Sequence, residues 1–340
     1  PSSAGTFDGL TLFVATRSGP GAAWQAPASP LDGLPPKGSY DDKPTLAFDN
    51  STTSSYRGWL YAAWTRWMGQ DGWLLVSHSA DGGHTWTAPQ ALRQQGQNWG
   101  AALTLAPDGT LVVAWAGDDF LWIARSGDGG EHFSSPHRFD SCRGPMSDCV
   151  NGATIPAQSD AGVRANPALV AIPPRAGQPA QVLAFYANGD GGTDTRIDMA
   201  RFDAASLTLL GSPSIVPLGA SGTDQFLPAT AYDAAARTLW VCAYVSLASA
   251  PTQARYTCTA SRDGGGSFLR ATPVASVASD EEQPGAYRSF IGRQYGDYTA
   301  VVAAAGVAHA FWTDSRRLGT LGEEIFTATL QVTPRAGGTG

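Results

Sequence analysis

One eight-residue motif occurs three times in this chain of 340 residues, and it constrains the fold more than any other feature. Ser79-Ala80-Asp81-Gly82-Gly83-His84-Thr85-Trp86 returns as Ser126-Gly127-Asp128-Gly129-Gly130-Glu131-His132-Phe133 and as Ser261-Arg262-Asp263-Gly264-Gly265-Gly266-Ser267-Phe268. Ser, Asp, Gly, Gly and an aromatic keep the same offsets. A worn copy, Ser18-Gly19-Pro20-Gly21-Ala22-Ala23-Trp24, has lost the Asp and one residue of length. The chemistry is that of a turn: the carboxylate bonds backbone N–H groups just beyond it, and the paired glycines take the positive φ that a tight hairpin demands. Each full copy follows an apolar, strand-like run (Trp73 to His78, Phe120 to Arg125, Arg255 to Ala260), so each reads as a hairpin turn between two strands.

This pattern resembles the Asp-box, or bacterial neuraminidase repeat, of the sialidase superfamily. The resemblance implies a β-propeller, with the boxes on its outer rim as structural turns rather than catalytic acids. Composition agrees with many short strands and tight turns: 40 Gly, 23 Pro, 11 Trp and only 15% charged residues. No stretch sustains a helical period. The net charge of −7 is unclustered, and Lys and Arg form no basic stripe, which argues against a nucleic-acid partner. No segment approaches the roughly 20 apolar residues that span a bilayer.

Strand-like runs group into five units of about four strands, beginning at Thr45, Ala101, Pro167, Phe226 and Tyr298. The last unit has three strands of its own, which predicts that the N-terminal hairpin (Leu10 to Thr16 and Trp24 to Pro27) closes the ring. The superfamily normally has six blades, and both a five-bladed and an irregular six-bladed ring fit the sequence. The expected architecture is therefore an all-β single propeller domain over residues 1–333, with a flexible tail over 334–340. Insertions run from Ser141 to Gly162 and from Ala278 to Gln294.

Four cysteines fall into two pairs. Cys242 and Cys258 lie on neighbouring antiparallel strands, and Cys142 and Cys149 flank a short loop. Two disulfides in a secreted or periplasmic protein is the expectation, with four unpaired buried thiols as the alternative, because spacing alone makes no bond. The start, Pro1-Ser2-Ser3-Ala4, carries no charged and apolar leader pattern, so a mature or trimmed chain is expected.

In a propeller the residues before each inner strand and after each second strand surround the mouth of the central channel. That places Asp41, Asp42, Lys43, Arg66, Trp67, Asn98, Trp99, Asp118, Asp119, Arg164, Asn166, Asn188, Asp190, Asp224, Gln225, Arg293, Tyr295, Asp297, Tyr298, Asp314, Arg316 and Arg317 there, with Asp160, Glu281 and Glu282 on the insertions. Guanidiniums clamp a carboxylate, aromatics stack on sugar faces, and paired carboxyls do acid and base work. Charged residues also collect at strand ends simply because loops are solvated.

The sialidase resemblance implies a Tyr nucleophile assisted by a Glu, an Asp acid and base, and three Arg on the substrate carboxylate. Tyr298 stands at the nucleophile's place, Asp41 or Asp42 at the acid's, and Arg164, Arg293 and Arg316 form the basic set, with Arg66 as a fourth candidate. Two features depart from the family: Asp42-Lys43-Pro44 replaces its Arg-Ile-Pro opening, and the only available Glu residues, Glu281 and Glu282, lie in an insertion. Catalytic candidates are thus Asp41, Asp42, Asp297, Tyr298 and Glu282. Substrate-binding candidates are Lys43, Arg66, Trp99, Asp118, Arg164, Asp190, Asp224, Arg293, Tyr295, Asp314 and Arg316.

The implied function is an extracellular glycoside hydrolase for sialic acid or a related acidic sugar. An inverting route would serve if Tyr298 is not a nucleophile. A non-catalytic glycan-binding propeller is the alternative, and a polysaccharide lyase using Tyr295 or Tyr298 the third. No cofactor is required. Asp-rich loops such as Asp118-Asp119 or Asp140 to Asp148 offer oxygen ligands for a structural Ca²⁺.

Overall fold

The computed structural model describes residues 10–25, 31, 35–146, 148–175, 177–283, 288–289, 292–317 and 324–332. The side chains of residues 288–289 and 292–293 fall outside that description, as does the tail expected over 334–340. Among the described residues there is no helix; the protein is all-β. By its internal contacts the chain divides into two compact units. The first comprises Pro1–Ser141, Pro173–Val182 and Arg201–Leu210, and the second Cys142–Ile172, Leu183–Ala200 and Gly211–Gly340.

The first unit holds two antiparallel four-stranded meanders. One runs β1 (Ser39–Phe48), β2 (Leu60–Met68), β3 (Asp71–Ser79) and β4 (Gln90–Arg93). The other runs β5 (Asn98–Leu105), β6 (Leu111–Gly117), β7 (Phe120–Ser126) and β8 (His137–Ser141). Tyr61, Ala63, Leu74, Val76, Leu111, Val113 and Trp115 form the core between them. On the opposite face of the first meander, Leu12, Val14 and Leu31 of the N-terminal segment pack against Ala62, Trp64 and Leu75. Hydrogen bonds from Leu31 N to Leu12 O and from Asp41 N to Leu10 O hold that segment in place.

The second unit opens with the short hairpin β9 (Ala153–Ile155) and β10 (Gln158–Val163). A third meander, β11 (Ala168–Ile172), β12 (Gln181–Gly189), β13 (Thr195–Asp203) and β14 (Ser214–Ile215), runs through the division. A fourth follows as β15 (Gln225–Asp233), β16 (Thr238–Leu247), β17 (Ala250–Ser261) and β18 (Thr272–Pro273), with β19 (Ser279–Asp280) also paired to β17. After the two-residue strands β20 (Arg288–Ser289) and β21 (Gly292–Arg293) comes a three-stranded meander, β22 (Ala300–Ala304), β23 (Val307–Asp314) and β24 (Glu324–Gln331). An aromatic chain forms this unit's core: Phe226, Tyr295, Tyr244, Tyr256, Trp312 and Phe326, each ring 4.6–6.4 Å from the next.

All three repeats fold into the same turn, between the third and fourth strands of their sheets. The Ser hydroxyl donates to the Asp carboxylate and accepts from the second Gly, and the residue four past the Asp donates its N–H to that same carboxylate. Both glycines of each pair have φ between 72° and 92°, a region an L side chain enters only with strain. The hydroxyl and N–H of Thr85 hold Asp81 well below the usual carboxylate range. The His132 N–H brings Asp128 to about 2. Burial pushes Asp263 up, but bonds from Ser267 and Ser261 outweigh it and bring it to about 2.

Both cysteine pairs are bonded. Cys242 and Cys258 stand directly opposite in the β16–β17 ladder, and Cys142–Cys149 closes the loop that opens the second unit. Arg143 in that loop reaches buried Asp198 at 2.7 Å. A Cβ on Gly189 would lie 1.8 Å from the Arg143 carbonyl, so the loop can sit there only because residue 189 is glycine.

Strand starts differ from the sequence reading. Asp41, Asp42 and Lys43 lie inside β1 rather than before it, and Asn98 and Trp99 lie inside β5. The reason is a one-residue bulge near the head of the first strand of three sheets: between Asp42 and Thr45, between Trp99 and Ala102, and between Phe226 and Ala229. At each bulge one residue takes positive φ: Lys43 (52°), Gly100 (64°) and Leu227 (51°). The extra residue interrupts the apolar alternation that marks a strand in sequence, and it sharpens the local twist.

Candidate functional site

In the first unit, the candidate acid Asp41 is already engaged. Its carboxylate accepts both Nε (2.7 Å) and Nη2 (2.8 Å) of Arg66, and the Trp64 indole N–H at 3.1 Å. The Asp41 side chain has no exposed surface. This is a two-pronged charge-assisted pair that joins β1 to β2. Asn98 is likewise structural: its Oδ1 accepts from Trp115 and Arg93, and its Nδ2 donates to Gly72 O. Asp118, at φ 51°, accepts from Arg93 Nη2 (2.8 Å) and the Gln97 N–H (2.9 Å) and locks the β6–β7 turn.

Asp42, Lys43 and Trp99 come together with two residues the sequence reading did not weigh as a set, Tyr40 and Trp67. Tyr40 stacks on Trp67 with centroids 6.4 Å apart, Trp67 meets Trp99 at 5.6 Å, and Lys43 Nζ lies 4.8 Å from the Trp99 ring centre. Burial, with the Asp42 charge adding, pushes the Tyr40 phenol up.

In the second unit, a small open depression, with an enclosed space of about 10 Å³, is lined by residues from three places. Gln158, Gly162 and Val163 come from β10, with Arg164 and Asn166 just beyond it. Phe226 and Leu227 come from the bulged head of β15, and Gln294, Gly296 and Asp297 from the segment leading to β22. The hairpin is fixed by Gln158, whose Nε2 donates to Gly162 O (3.0 Å) and whose Oε1 accepts from Tyr295 N (3.1 Å). Glu282 fixes it further, accepting both the N–H and the hydroxyl of Ser159. Asn166 Oδ1 is buried with no hydrogen-bond partner among the described residues. An unmet buried acceptor costs roughly 1–3 kcal/mol, a cost that a ligand hydroxyl removes. One guanidinium, one carboxylate and three side-chain amides thus line the depression together with Val163, Phe226 and Leu227, a mixture suited to a polyhydroxylated, carboxylate-bearing molecule.

The remaining candidates divide sharply. Tyr298, beside Asp297, is 59% exposed. Tyr295 is fully buried, donates to Ser279 O at 2.7 Å and packs 4.6 Å from Tyr244; burial first, and then the Glu281 charge, raises its hydroxyl far above the ordinary range. Asp314 accepts from the Trp312 indole and from Nε and Nη2 of Arg316, whose guanidinium also donates to Ser276. Glu281 is buried and accepts from Ser279. Asp224 is buried, and burial raises its carboxyl although Thr195 donates to it. Asp190 is exposed and caps its own turn through Gly192 N. Arg293 lies on β21, with its side chain outside the described residues.

Gln158 and Gln294 escaped the sequence reading, since no spacing marks them. Leu227 had a signal: Leu227-Pro228 repeats the pattern of Lys43-Pro44 at the bulge of β1. Among the described residues no group of three or more His, Cys, Asp or Glu side chains is placed to hold a metal ion. No described helix is long and apolar enough to cross a membrane.

No family model and no curated protein matches the chain. Among solved structures, it is similar to a protein of unknown function from Dyadobacter fermentans, at 12% identity over 96% of this chain and 98% of that one, with a TM-score of 0.49. It is similar to the α-L-arabinofuranosidase Arb93A of Fusarium graminearum in complex with an iminosugar inhibitor, at 11% identity over 96% and 98%, with a TM-score of 0.49. A mutant NanB sialidase from Streptococcus pneumoniae is similar at 8% identity over 86% and 68%, with a TM-score of 0.48. At such identities and scores these likenesses assign no chemistry.

Proposed function

We propose that the protein is a carbohydrate-active enzyme of propeller type, a glycoside hydrolase acting on a terminal acidic sugar in the depression of the second unit, in a secreted or periplasmic setting. The observation that carries this reading is the convergence of Arg164 and Asp297 with Gln158, Asn166, Gln294 and Phe226, where the buried Asn166 Oδ1 has no partner among the described residues. In this reading Arg164 grips the sugar carboxylate, and Asn166 Oδ1 accepts from a sugar hydroxyl. Asp297 protonates the departing glycosidic oxygen. Tyr298, the next residue and well exposed, attacks the anomeric carbon as its phenolic proton passes to solvent, in the manner of the sialidase resemblance, and a water deprotonated by Asp297 then releases the sugar and restores the phenol.

The test is release of 4-methylumbelliferone from its α-sialoside and a panel of other glycosides, with Asp297→Asn, Tyr298→Phe and Arg164→Gln beside the parent. Turnover should fall by a factor on the order of 10² or more in Asp297→Asn, because a general acid is lost. Arg164→Gln should raise KM. Turnover that survives all three substitutions would move the reaction elsewhere.

A second reading, a glycan-binding propeller without turnover, is favoured by a separate observation. Asp41, Asp314 and Glu282 are all engaged within the fold, which leaves few carboxyls for a catalytic pair. It predicts sugar binding with no release of methylumbelliferone.

A further inference from the structure

Between β10, which ends at Val163, and β11, which begins at Ala168, the chain joins no sheet, and Arg164 and Asn166 of the proposed site lie in that gap. No ladder sets their position, so it comes from the bonds and contacts of their own backbone. The residue between them provides one: Ala165, fully buried, donates its N–H to the Cys149 carbonyl at 3.0 Å. A second restraint follows three residues past Cys149. Gly152, at φ 72°, runs so close that a Cβ there would lie 1.9 Å from the Val163 carbonyl oxygen and 3.2 Å from the Arg164 nitrogen. Asp148 shapes the intervening turn: its carboxylate accepts from the N–H groups of Val150 and Asn151, and its carbonyl from that of Gly152.

The other end of the loop is held by β12 and β13. Arg143 donates its N–H to Oδ1 of buried Asn188 at 2.9 Å and its Nη2 to buried Asp198 at 2.7 Å. The Cys142–Cys149 bond carries that hold across the loop, from the residue before Arg143 to the residue whose carbonyl takes Ala165. Its ring is the shorter of the two, with a sequence separation of 7 against 16 for Cys242–Cys258, so it removes less freedom from the unfolded chain and its larger consequence is local. We infer that Cys142, Cys149 and Arg143 are positioning residues that fasten the Arg164–Asn166 segment to β12 and β13 and thereby set the site's affinity for an acidic sugar, resting on the reading of Arg164 and Asn166 as the sugar's contacts. The reacting side chains are held separately. Asp297 and Tyr298 lie on the segment before β22, which is tied to the β9–β10 hairpin by the bond from Tyr295 N to Gln158 Oε1. Loosening the loop therefore raises KM and leaves kcat in place.

The experiment compares the intact parent with Cys142→Ser/Cys149→Ser, which keeps the Cys242–Cys258 bond, and with Arg143→Gln and Arg143→Lys. It reads KM and kcat on methylumbelliferyl α-sialoside and β-glucuronide, the Kd of N-acetylneuraminic acid and of glucuronic acid by calorimetry, amide hydrogen exchange at Ala165, and the thermal melt. The double variant should stay folded, with KM and Kd raised about tenfold, roughly the worth of one charge-assisted hydrogen bond. Its kcat should stay within about twofold, and exchange should quicken at Ala165 and not in β16 or β17. Arg143→Gln should move the same quantities by a smaller factor, and Arg143→Lys, which keeps a cation for Asp198, should restore them. Affinity and Ala165 exchange unchanged in the folded double variant, or exchange quickened throughout the unit, would overturn the inference. If the double variant does not fold, Arg143→Gln decides: unchanged affinity and unchanged Ala165 exchange there overturn it. Turnover with KM unmoved in the folded variants would sink this inference and leave the hydrolase reading standing. Acidic-sugar binding that weakens in the variants of a parent without turnover would uphold it and remove that reading, and a parent that binds neither sugar and turns over neither glycoside would overturn both.

Discussion

Two clamps built from the same three side-chain types, one in each unit, are joined to the chain in different ways. In the first, Asp41 of β1 stands opposite Arg66 of β2 and also accepts from Trp64. In the second, Trp312, Asp314 and Arg316 follow one another in Trp312-Thr313-Asp314-Ser315-Arg316, and the Asp314 carboxylate accepts the Arg316 backbone N–H at 2.9 Å as well as its guanidinium. Both carboxylates are wholly buried. One clamp ties two strands together; the other ties a strand end to itself. The difference teaches that an Asp and an Arg near a strand end can look like acid and substrate clamp in sequence and still be structural partners.

The sharpest way to break the comparison is Arg66→Ala, which leaves Asp41 buried with only an indole donor. It should cost about 3–5 kcal/mol in denaturant unfolding, the usual consequence of orphaning one half of a buried pair. Arg316→Ala should cost less, about 2–3 kcal/mol, because Asp314 keeps the backbone N–H of residue 316 and the Trp312 indole. Equal losses in the two variants would show that the backbone bond contributes nothing.

The smallest effect concerns the repeat turns, whose carboxylates accept only from their own turn and reach solvent. Asp263 titrates at about 2 in the folded chain against an ordinary 3.8. Its folded value lies below its unfolded value, so its contribution is fully present above the ordinary value and is lost as pH falls toward 2. The unfolding midpoint should therefore drop over that range. Asp263→Ala should flatten the drop and cost about 1 kcal/mol at neutral pH, the net worth of a hydrogen bond or two. An unchanged acid profile in that variant would show that the drop belongs to other carboxyls.

Much of the fold was legible because it rests on local chemistry. The three turns needed only Ser, Asp and two glycines in order, and the Cys242–Cys258 pairing followed from the centre of its hairpin. The site was harder to read because its partners are distant in sequence. Asp41 and Arg66 meet through strand register, and Tyr295 is drawn into the core by Phe226 and Tyr244, neither of which is adjacent to it in the chain. Hydrophobic alternation also fails at the strand heads, where Asp42, Trp99 and Phe226 precede a bulge. Tyr298 and Asp297 lie in the segment just before β22, where the sequence reading also set them.

Those bulges also act as a change of parity along the chain. Asp41 stands opposite Arg66 and Leu46 opposite Ala62, so two residues five apart share one side of the sheet. Trp99 with Ala102, and Phe226 with Ala229, share a side although they are three apart. Anyone grafting a loop, shortening a strand or aligning a distant sequence must keep this odd count. A single-residue deletion elsewhere on either strand, with the bulge kept, would turn every side chain upstream to the wrong side of its sheet, whereas deleting Lys43 or Leu227 removes the bulge itself and leaves the flanking residues on their sides.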